Sequence, residues 1–333
     1  YDSTTFTFTH SNGEGAGNLG SDDVAKVNSY LASLGNQFIP SIADPACAKE
    51  LGIYSAEKRG LEQRKIVPIS KMLCMDRFPG QGHGKLCTKD ETWQHGGAAT
   101  QATARAYLFV AKEADISITN GGGTRSDIPV GDFTYDVAFT MLPFGNDLVQ
   151  LEITGKQIKT VLEEALSERL DNDGSTGVYP YVSGLTFHID TTAQAGNRVS
   201  NIKVNSRLAG TFAPINPDET YIVVTTDFLA AGKDGYVTFS KVTKRENLHV
   251  EYAESVAMYA RHVGTILPPP VSEYSTQVYI DPDGCDHSVY KTEEACKLRR
   301  PVYATDGALA LIPSSAQGFW VGSILATILL GIF

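Results

Sequence analysis

Ile116 and Ile118 alternate with polar neighbours up to Asn120, and the next three residues are Gly121, Gly122 and Gly123. That passage brings a short strand to a stop on backbone that carries no Cβ. Three glycines permit positive φ and allow close approach of the main chain to a ligand. Amide groups there could converge with the flanking Asn120 and Arg125 on a polar ligand. A guanidinium beside an open loop suits phosphate or hydroxyl recognition. The same run also reads as a tight surface turn followed by a solvated arginine, because glycines alone specify no chemistry.

Around this passage the chain alternates between strand and helix patterns. Val149, Leu151 and Ile153 alternate with Gln150 and Glu152 as in a half-buried strand. Thr154 and Gln157 then have capping-box spacing, and Ile158, Val161, Leu162 and Ala165 form one apolar helical stripe. An alanine-rich helix is predicted over 97–113, strands over 186–189, 201–204 and 221–225, and a helix over 253–263. Pro79 and several glycines mark 71–85 as a loop, with Arg77 inside it. Nearer the start, 5–9 alternates as a strand, and the GEGAG run after it fails dinucleotide-fingerprint spacing and reads as a loop. Ser21 can cap a helix whose apolar face is Val24, Val27, Leu31 and Leu34, ending at Gly35. A more polar helical piece is predicted between 47 and 65. Strands alternating with helices place the chain in the mixed α/β class.

At 333 residues with 42% hydrophobic content, the chain can bury a substantial core. Its formal charge of -10 argues against binding a nucleic-acid polymer, since backbone binders concentrate Lys and Arg. Any nucleotide would be held by one or two local arginines. Cys74 with Cys87 and Cys285 with Cys296 would each close a short loop as disulfides in an oxidising compartment, leaving Cys47 over. Buried free thiols are the other reading. The seven histidines occur singly, and no DxH, GNHE or GHxH spacing is present.

Three motifs in order carry a family resemblance. They are Asn120 to Arg125 (NGGGTR), Leu142-Pro143-Phe144-Gly145-Asn146, and residues 226–236 (TDFLAAGKDGY). Together they resemble the C-terminal domain of the 5'-nucleotidase family, whose pattern runs NGGGxR, LPFGN and NFLAxGGDGY. The resemblance covers roughly 66–265. It implies a four-layer α/β/β/α domain, with two sheets between two layers of helices. It implies two phenylalanines sandwiching a base, at positions matched by Phe144 and Phe228. It further implies a ribose-binding carboxylate at Asp234, a phosphate-side arginine at Arg125 and a base-contacting asparagine at Asn120. Read without it, each phenylalanine suits the core and Asp234 suits an ordinary turn. Related sequences place a second ligand-binding arginine near Arg77, although the local pattern departs from theirs. Asp227 stands where the family usually has Asn, and Lys233 where it usually has Gly.

The resemblance also implies that catalysis needs two divalent metal ions held by an N-terminal metallophosphoesterase domain, none of whose motifs is in this chain. The expected organisation is an N-terminal strand, loop and helical connector over 1–65, the family domain over 66–265, a proline-rich and Cys-paired appendix over 266–305, and a tail over 306–333. Residues 319–333 are apolar to the end, preceded by a spacer and by the small residues Asp306, Gly307 and Ala308. This fits a glycolipid-anchor signal, or else a buried terminal helix. The reading is the substrate-recognition domain of a secreted or surface-attached phosphoric ester hydrolase acting on nucleoside phosphates, anchored to a membrane through its C-terminus. The alternative is a non-catalytic nucleotide-binding or cell-surface interaction module.

Overall fold

The computed structural model describes residues 64–299 and, near the N-terminus, two antiparallel strands, β1 (Phe6–Thr9) and β2 (Ala16–Leu19). Ala16 and Gly17, expected in a loop, pair with Thr9 and Phe8 in that hairpin. The helix expected from Ser21, most of the 47–65 connector, Cys47 and the apolar tail lie outside the described residues. Lys65 opens a strand.

The chain continues through β3 (Lys65–Ile69), α1 (Lys89–Thr92), α2 (Ala98–Val110), β4 (Ile116–Asn120), β5 (Gly131–Thr134), α3 (Tyr135–Met141), β6 (Asp147–Thr154) and α4 (Gly155–Leu170). It then runs through β7 (Pro180–Ser183), β8 (Leu185–Asp190), β9 (Val199–Val204), β10 (Ala213–Pro214), β11 (Thr220–Thr226), α5 (Asp227–Ala230), α6 (Val237–Ser240), β12 (Arg245–Glu251), α7 (Tyr252–Val263), β13 (Thr276–Ile280) and α8 (Glu293–Arg299). The mixed α/β class read from the alternation is the class of the fold. The capping box starts α4 as its spacing predicts. Gln157 N donates to Thr154 Oγ1 at 3.2 Å, and Thr154 N donates back to Gln157 Oε1 at 2.8 Å.

A five-stranded sheet, ordered β12-β6-β11-β4-β7, divides two hydrophobic cores. Period-two alternation sends Tyr221 and Val223 of β11 into one core, while Val224 packs into the other. The first core also takes Ile116, Ile118, Leu151, the apolar face of α4, and Phe187 and Ile189 of β8. Strand β8 belongs to a four-stranded sheet, ordered β10-β9-β8-β13. The second core holds α2, α3 and α7 on the opposite face.

The stretch expected to be an appendix, 266–305, contributes to the fold in its first part. Strand β13 pairs parallel with β8, and the side chains of Ile266 and Tyr279 are buried in the two cores. Five residues with two buried side chains are too short a signal for periodicity to detect. Both expected disulfides are present, Cys74–Cys87 and Cys285–Cys296. The second tethers a segment whose His287 stacks on Trp93 with ring centroids 3.8 Å apart, and Trp93 Nε1 donates to Tyr290 O at 2.7 Å. No helix among the described residues is long and apolar enough to cross a membrane.

Glu251 caps α7 by accepting from Ala253 N and Glu254 N, but its Oε1 is buried without a partner. Burial pushes its carboxyl up to about 7, against the two amides that hold it down, and Glu254 and Asp147 add to the rise. An unfolded glutamate titrates near 4.5, so between about 4.5 and 7 the folded state holds a proton that the unfolded state has lost. Stability should therefore fall as pH rises through that window. Glu251→Gln should stabilise the fold at pH 8 by about 1–2 kcal/mol, allowing for partial solvent screening, and by little at pH 4. Urea unfolding of both proteins at the two pH values tests this, and an equal difference at both would contradict it.

Candidate functional site

Strand β4 delivers Asn120 to its C-terminal end, 7% exposed, where the three glycines form a single 3₁₀ turn. None of them has positive φ, so left-handed backbone is not what requires glycine here. Close approach is. A Cβ on Gly121 would stand 2.5 Å from Arg77 O, and one on Gly122 would stand 3.0 Å from Gly177 Cα. The glycine turn is thereby packed against the Arg77 loop on one side and the 176–178 turn on the other.

Asn120 Nδ2 donates to Asp234 Oδ2 at 2.7 Å, joining the first and third motifs across 114 residues. Asp234 has φ 55, within the tight turn Lys233–Gly235 that follows Gly232. Burial raises its carboxyl, the hydrogen bond from Asn120 holds it down, and the Glu168 charge raises it further. The second carboxylate oxygen is not used by Asn120 and can accept from a ligand hydroxyl.

Phe144 is 56% exposed and Phe228 40% exposed, so neither fills a core as its residue type would suggest. Phe144 follows Pro143, and its N donates to the buried Tyr252 Oη at 2.6 Å. The Arg125 guanidinium lies 5.6 Å from the Phe144 ring centroid and donates to Gly122 O at 3.3 Å. Phe228 stands in the first turn of α5, which Thr226 caps by accepting from Leu229 N. That short helix packs against the Asp234 turn. Asp227 is exposed, and its Oδ1 accepts from Phe228 N at 2.7 Å. Lys233 is exposed beside Asp234. The structure thus joins Asn120 to Asp234 and Arg125 to Phe144, while the two phenylalanine rings do not stack on each other.

Arg77 is half-buried, and its Nη1 donates to Thr176 Oγ1 at 3.0 Å. Burial and the nearby Arg125 charge both lower its guanidinium, with Asp76 opposing them. The two arginines therefore sense one another although they stand on separate loops.

Several supporting residues escaped the sequence reading. Asp76 is fully buried and accepts from Arg77 N, Gly82 N, His83 N and Thr92 Oγ1. Asp127, 6% exposed, accepts from Met75 N, Lys85 N and Leu86 N. Thr176, Gly177 and Tyr252 complete the set. Their tasks depend on partners distant in sequence. The one available signal was two aspartates beside a segment dense in Gly and Pro, where orphan amides need acceptors.

Among the described residues, two groups bring three possible metal ligands within 4.8 Å: Cys74, Cys87 and Glu91, and Asp281, Cys285 and His287. All three cysteines are in disulfides. His287 Nδ1 faces Trp93 O and its Nε2 faces Asp281. Neither group fits a two-metal hydrolytic centre, which needs free carboxylate and imidazole donors.

Residues 86–241 match the family described as "5'-nucleotidase, C-terminal domain". Over those residues the chain is similar to that domain, and its mixed α/β fold is similar to solved structures of nucleotidases. It is 35% identical over 190 residues to the NAD 5'-nucleotidase of Haemophilus influenzae, a match spanning 57% of this chain and 31% of that protein. It is 34% identical over 175 residues to a probable 5'-nucleotidase of Treponema pallidum, spanning 50% of this chain and 29% of that one. Against the solved structure of the H. influenzae NAD nucleotidase, the TM-score is 0.60 at 27% identity, over 82% of this chain and 47% of that one. The chain thus spans about a third of the length of these curated relatives. The glycine turn, the Leu142 to Asn146 motif and the Asp234 turn all fall inside the matched region.

Proposed function

We propose that this chain is the nucleotide-recognition part of a 5'-nucleotidase-type phosphoric ester hydrolase acting on nucleoside phosphates. The observation that carries the reading is the Asn120–Asp234 hydrogen bond. It locks the glycine turn to the Lys233–Gly235 turn, with one exposed aromatic ring, Phe228, just ahead of that second turn and another, Phe144, in the Leu142 to Asn146 motif. On this reading the base stacks on Phe144 and Phe228, and Asn120 lies at its edge. Asp234 accepts from ribose hydroxyls, and Arg125 and Arg77 face the phosphate. Two divalent ions, held by a metallophosphoesterase domain, would polarise the phosphate and activate water. Two disulfides support a secreted or cell-surface location. Attachment through the C-terminal residues belongs to the same proposal.

Asp234→Asn tests the reading. Asparagine tolerates the left-handed backbone of this position and can still accept from Asn120, so the turn should persist. The variant loses the charged acceptor that only a sugar requires. Adenosine affinity should drop roughly tenfold and adenine affinity less than twofold, in line with the strength of hydrogen bonds to a charged group. Calorimetric titration of both ligands to millimolar concentration measures the difference. Equal losses for adenosine and adenine would remove Asp234 from the sugar site.

A further inference from the structure

At the end of β13 the chain turns back on itself between Asp281 and His287. Asp281 N donates to Cys285 O at 2.9 Å, Cys285 N donates to Asp281 Oδ1 at 2.8 Å, and His287 N donates to Tyr279 O at 2.9 Å. Gly284, at φ 74, supplies the left-handed residue that the turn requires. The turn brings a carboxylate oxygen of Asp281, Cys285 Sγ and a ring nitrogen of His287 within 4.8 Å of one another. The disulfide adds Cys296, from α8, to the same place. Cys285, Cys296 and His287 are buried, and Asp281 is partly so.

The state of the His287 ring is fixed by its neighbours. Its Nδ1 lies 2.7 Å from Trp93 O, a carbonyl that can only accept, so Nδ1 carries a proton. A neutral ring then turns the lone pair of Nε2 toward Asp281 Oδ2, 3.4 Å away. Two acceptors face each other, and a cation between them, a proton or a metal ion, is what makes the arrangement favourable. An imidazole tied by one nitrogen to a backbone carbonyl, with the other turned on further donors, is oriented as a metal-ligating histidine is.

In the oxidised chain the two sulfurs are bonded to each other, and the thiolate is the form that ligates metal. Reduction would change the donors without dispersing them. The segment is also held by the Trp93–His287 stack, by the bond from Trp93 Nε1 to Tyr290 O, and by the Lys89–Glu293 ion pair at 3.1 Å. A surface cavity of about 290 Å³, lined by Asp281, Cys285, His287 and Cys296 among others, gives an ion a way in.

We propose that Cys285 and Cys296, when reduced, join His287 Nε2 and the Asp281 carboxylate to bind one zinc ion. Two thiolates, an imidazole and a carboxylate make a four-donor set for a structural zinc ion, and the sulfur pair selects against magnesium and calcium. A dithiol reductant gives two electrons and two protons to the Cys285–Cys296 bond and leaves as its own disulfide. The two new thiols then lose their protons to solvent as zinc binds. Zinc and the disulfide exclude each other, so the bound ion protects both thiols from oxidation. The site holds a single ion and does not depend on the nucleotide reading. The group of Cys74, Cys87 and Glu91 offers no imidazole, and Glu91 Oε2 already accepts from Thr88 N and Oγ1.

The test uses the full chain reduced with a phosphine, which takes up oxygen from water to become its oxide and adds no competing thiol. Zinc is titrated against a chromophoric chelator under nitrogen, and circular dichroism reports the folding of each sample. Reduced wild type should take up about one zinc ion, at an affinity at least about a hundredfold above that of the unreduced chain. Cobalt(II) in its place should show thiolate-to-metal charge transfer and the visible bands of a tetrahedral ion. Cys74→Ser/Cys87→Ser should keep the site, and Cys285→Ser/Cys296→Ser should lose it. Asp281→Asn leaves every thiol in place and keeps an oxygen for Cys285 N, so the fold should persist while zinc affinity falls at least about tenfold. The proposal is overturned if reduced wild type takes up no zinc, if the unreduced chain binds it equally well, or if Cys285→Ser/Cys296→Ser retains the ion. Unchanged affinity in folded Asp281→Asn would also overturn it, since thiols would then be binding without a built site.

Discussion

Phe144→Ala and Phe228→Ala should each weaken adenosine binding by about 1–3 kcal/mol, the contribution of one aromatic ring stacked on a base. Truncating a half-exposed ring leaves no internal cavity, so neither change should lower stability by more than about 1 kcal/mol. Phe144 is set on its path by its own backbone, through the bond from its N to Tyr252 Oη, and that bond survives the substitution. Phe228 follows the Thr226 cap, which is also retained. Arg125 lies over the Phe144 ring, so Phe144→Ala removes a cation–π partner as well and should weaken AMP more than adenosine. Phe228→Ala should weaken AMP and adenosine alike. Calorimetry with unfolding curves on the same samples separates affinity from folding. Folded variants that bind adenosine as well as wild type would place the base elsewhere.

Gly121→Ala should lower stability by about 2–3 kcal/mol, because the added methyl meets backbone. It would stand 2.5 Å from Arg77 O and 2.9 Å from Arg77 Cα, so one of two main-chain segments must shift. Both are anchored. Asn120 is tied to Asp234 on one side, and Asp76 holds the Arg77 loop through three backbone amides and Thr92 on the other. Relief is expected to move the Arg77 loop, which has no strand pairing at that point, whereas Asn120 continues the interior strand β4. AMP binding should then weaken more than adenosine binding. Gly123→Ala is the matched control, since its Cβ would meet side-chain atoms alone, the Asn120 oxygen at 3.1 Å and Thr119 Oγ1 at 3.8 Å. Denaturant unfolding of the two variants should differ by at least about 1 kcal/mol. Equal stability would mean that the turn yields without cost.

The parts of the fold that were legible in the sequence are those set by neighbours in the chain. Alternation in 149–153 and 221–225 depends on a two-residue period, and the α4 start depends on residues three apart. The disulfide loops close over 13 and 11 residues. The three motifs were likewise local strings, and they marked Asn120, Arg125, Phe144, Phe228 and Asp234 before any distance was known. Strand β13 was missed because its partner β8 lies about ninety residues earlier, and five residues carry too little pattern to announce a parallel edge.

The sequence alone determined the α/β class, the principal helices and strands, and the chemical types gathered at the site, since each follows from spacing within a turn or a strand. Tertiary structure decided how those types are used. It alone showed that the glycines serve close packing against Arg77 and Gly177 rather than positive φ, because the need for a missing Cβ comes from an atom outside the local chain. It alone placed Asp76 and Asp127 under the 82–86 loop, where burial obliges each carboxylate to collect backbone amides and leaves His83 and Lys85 unpaired at the surface. That allocation is made by contacts between residues far apart in the chain, which no local pattern records.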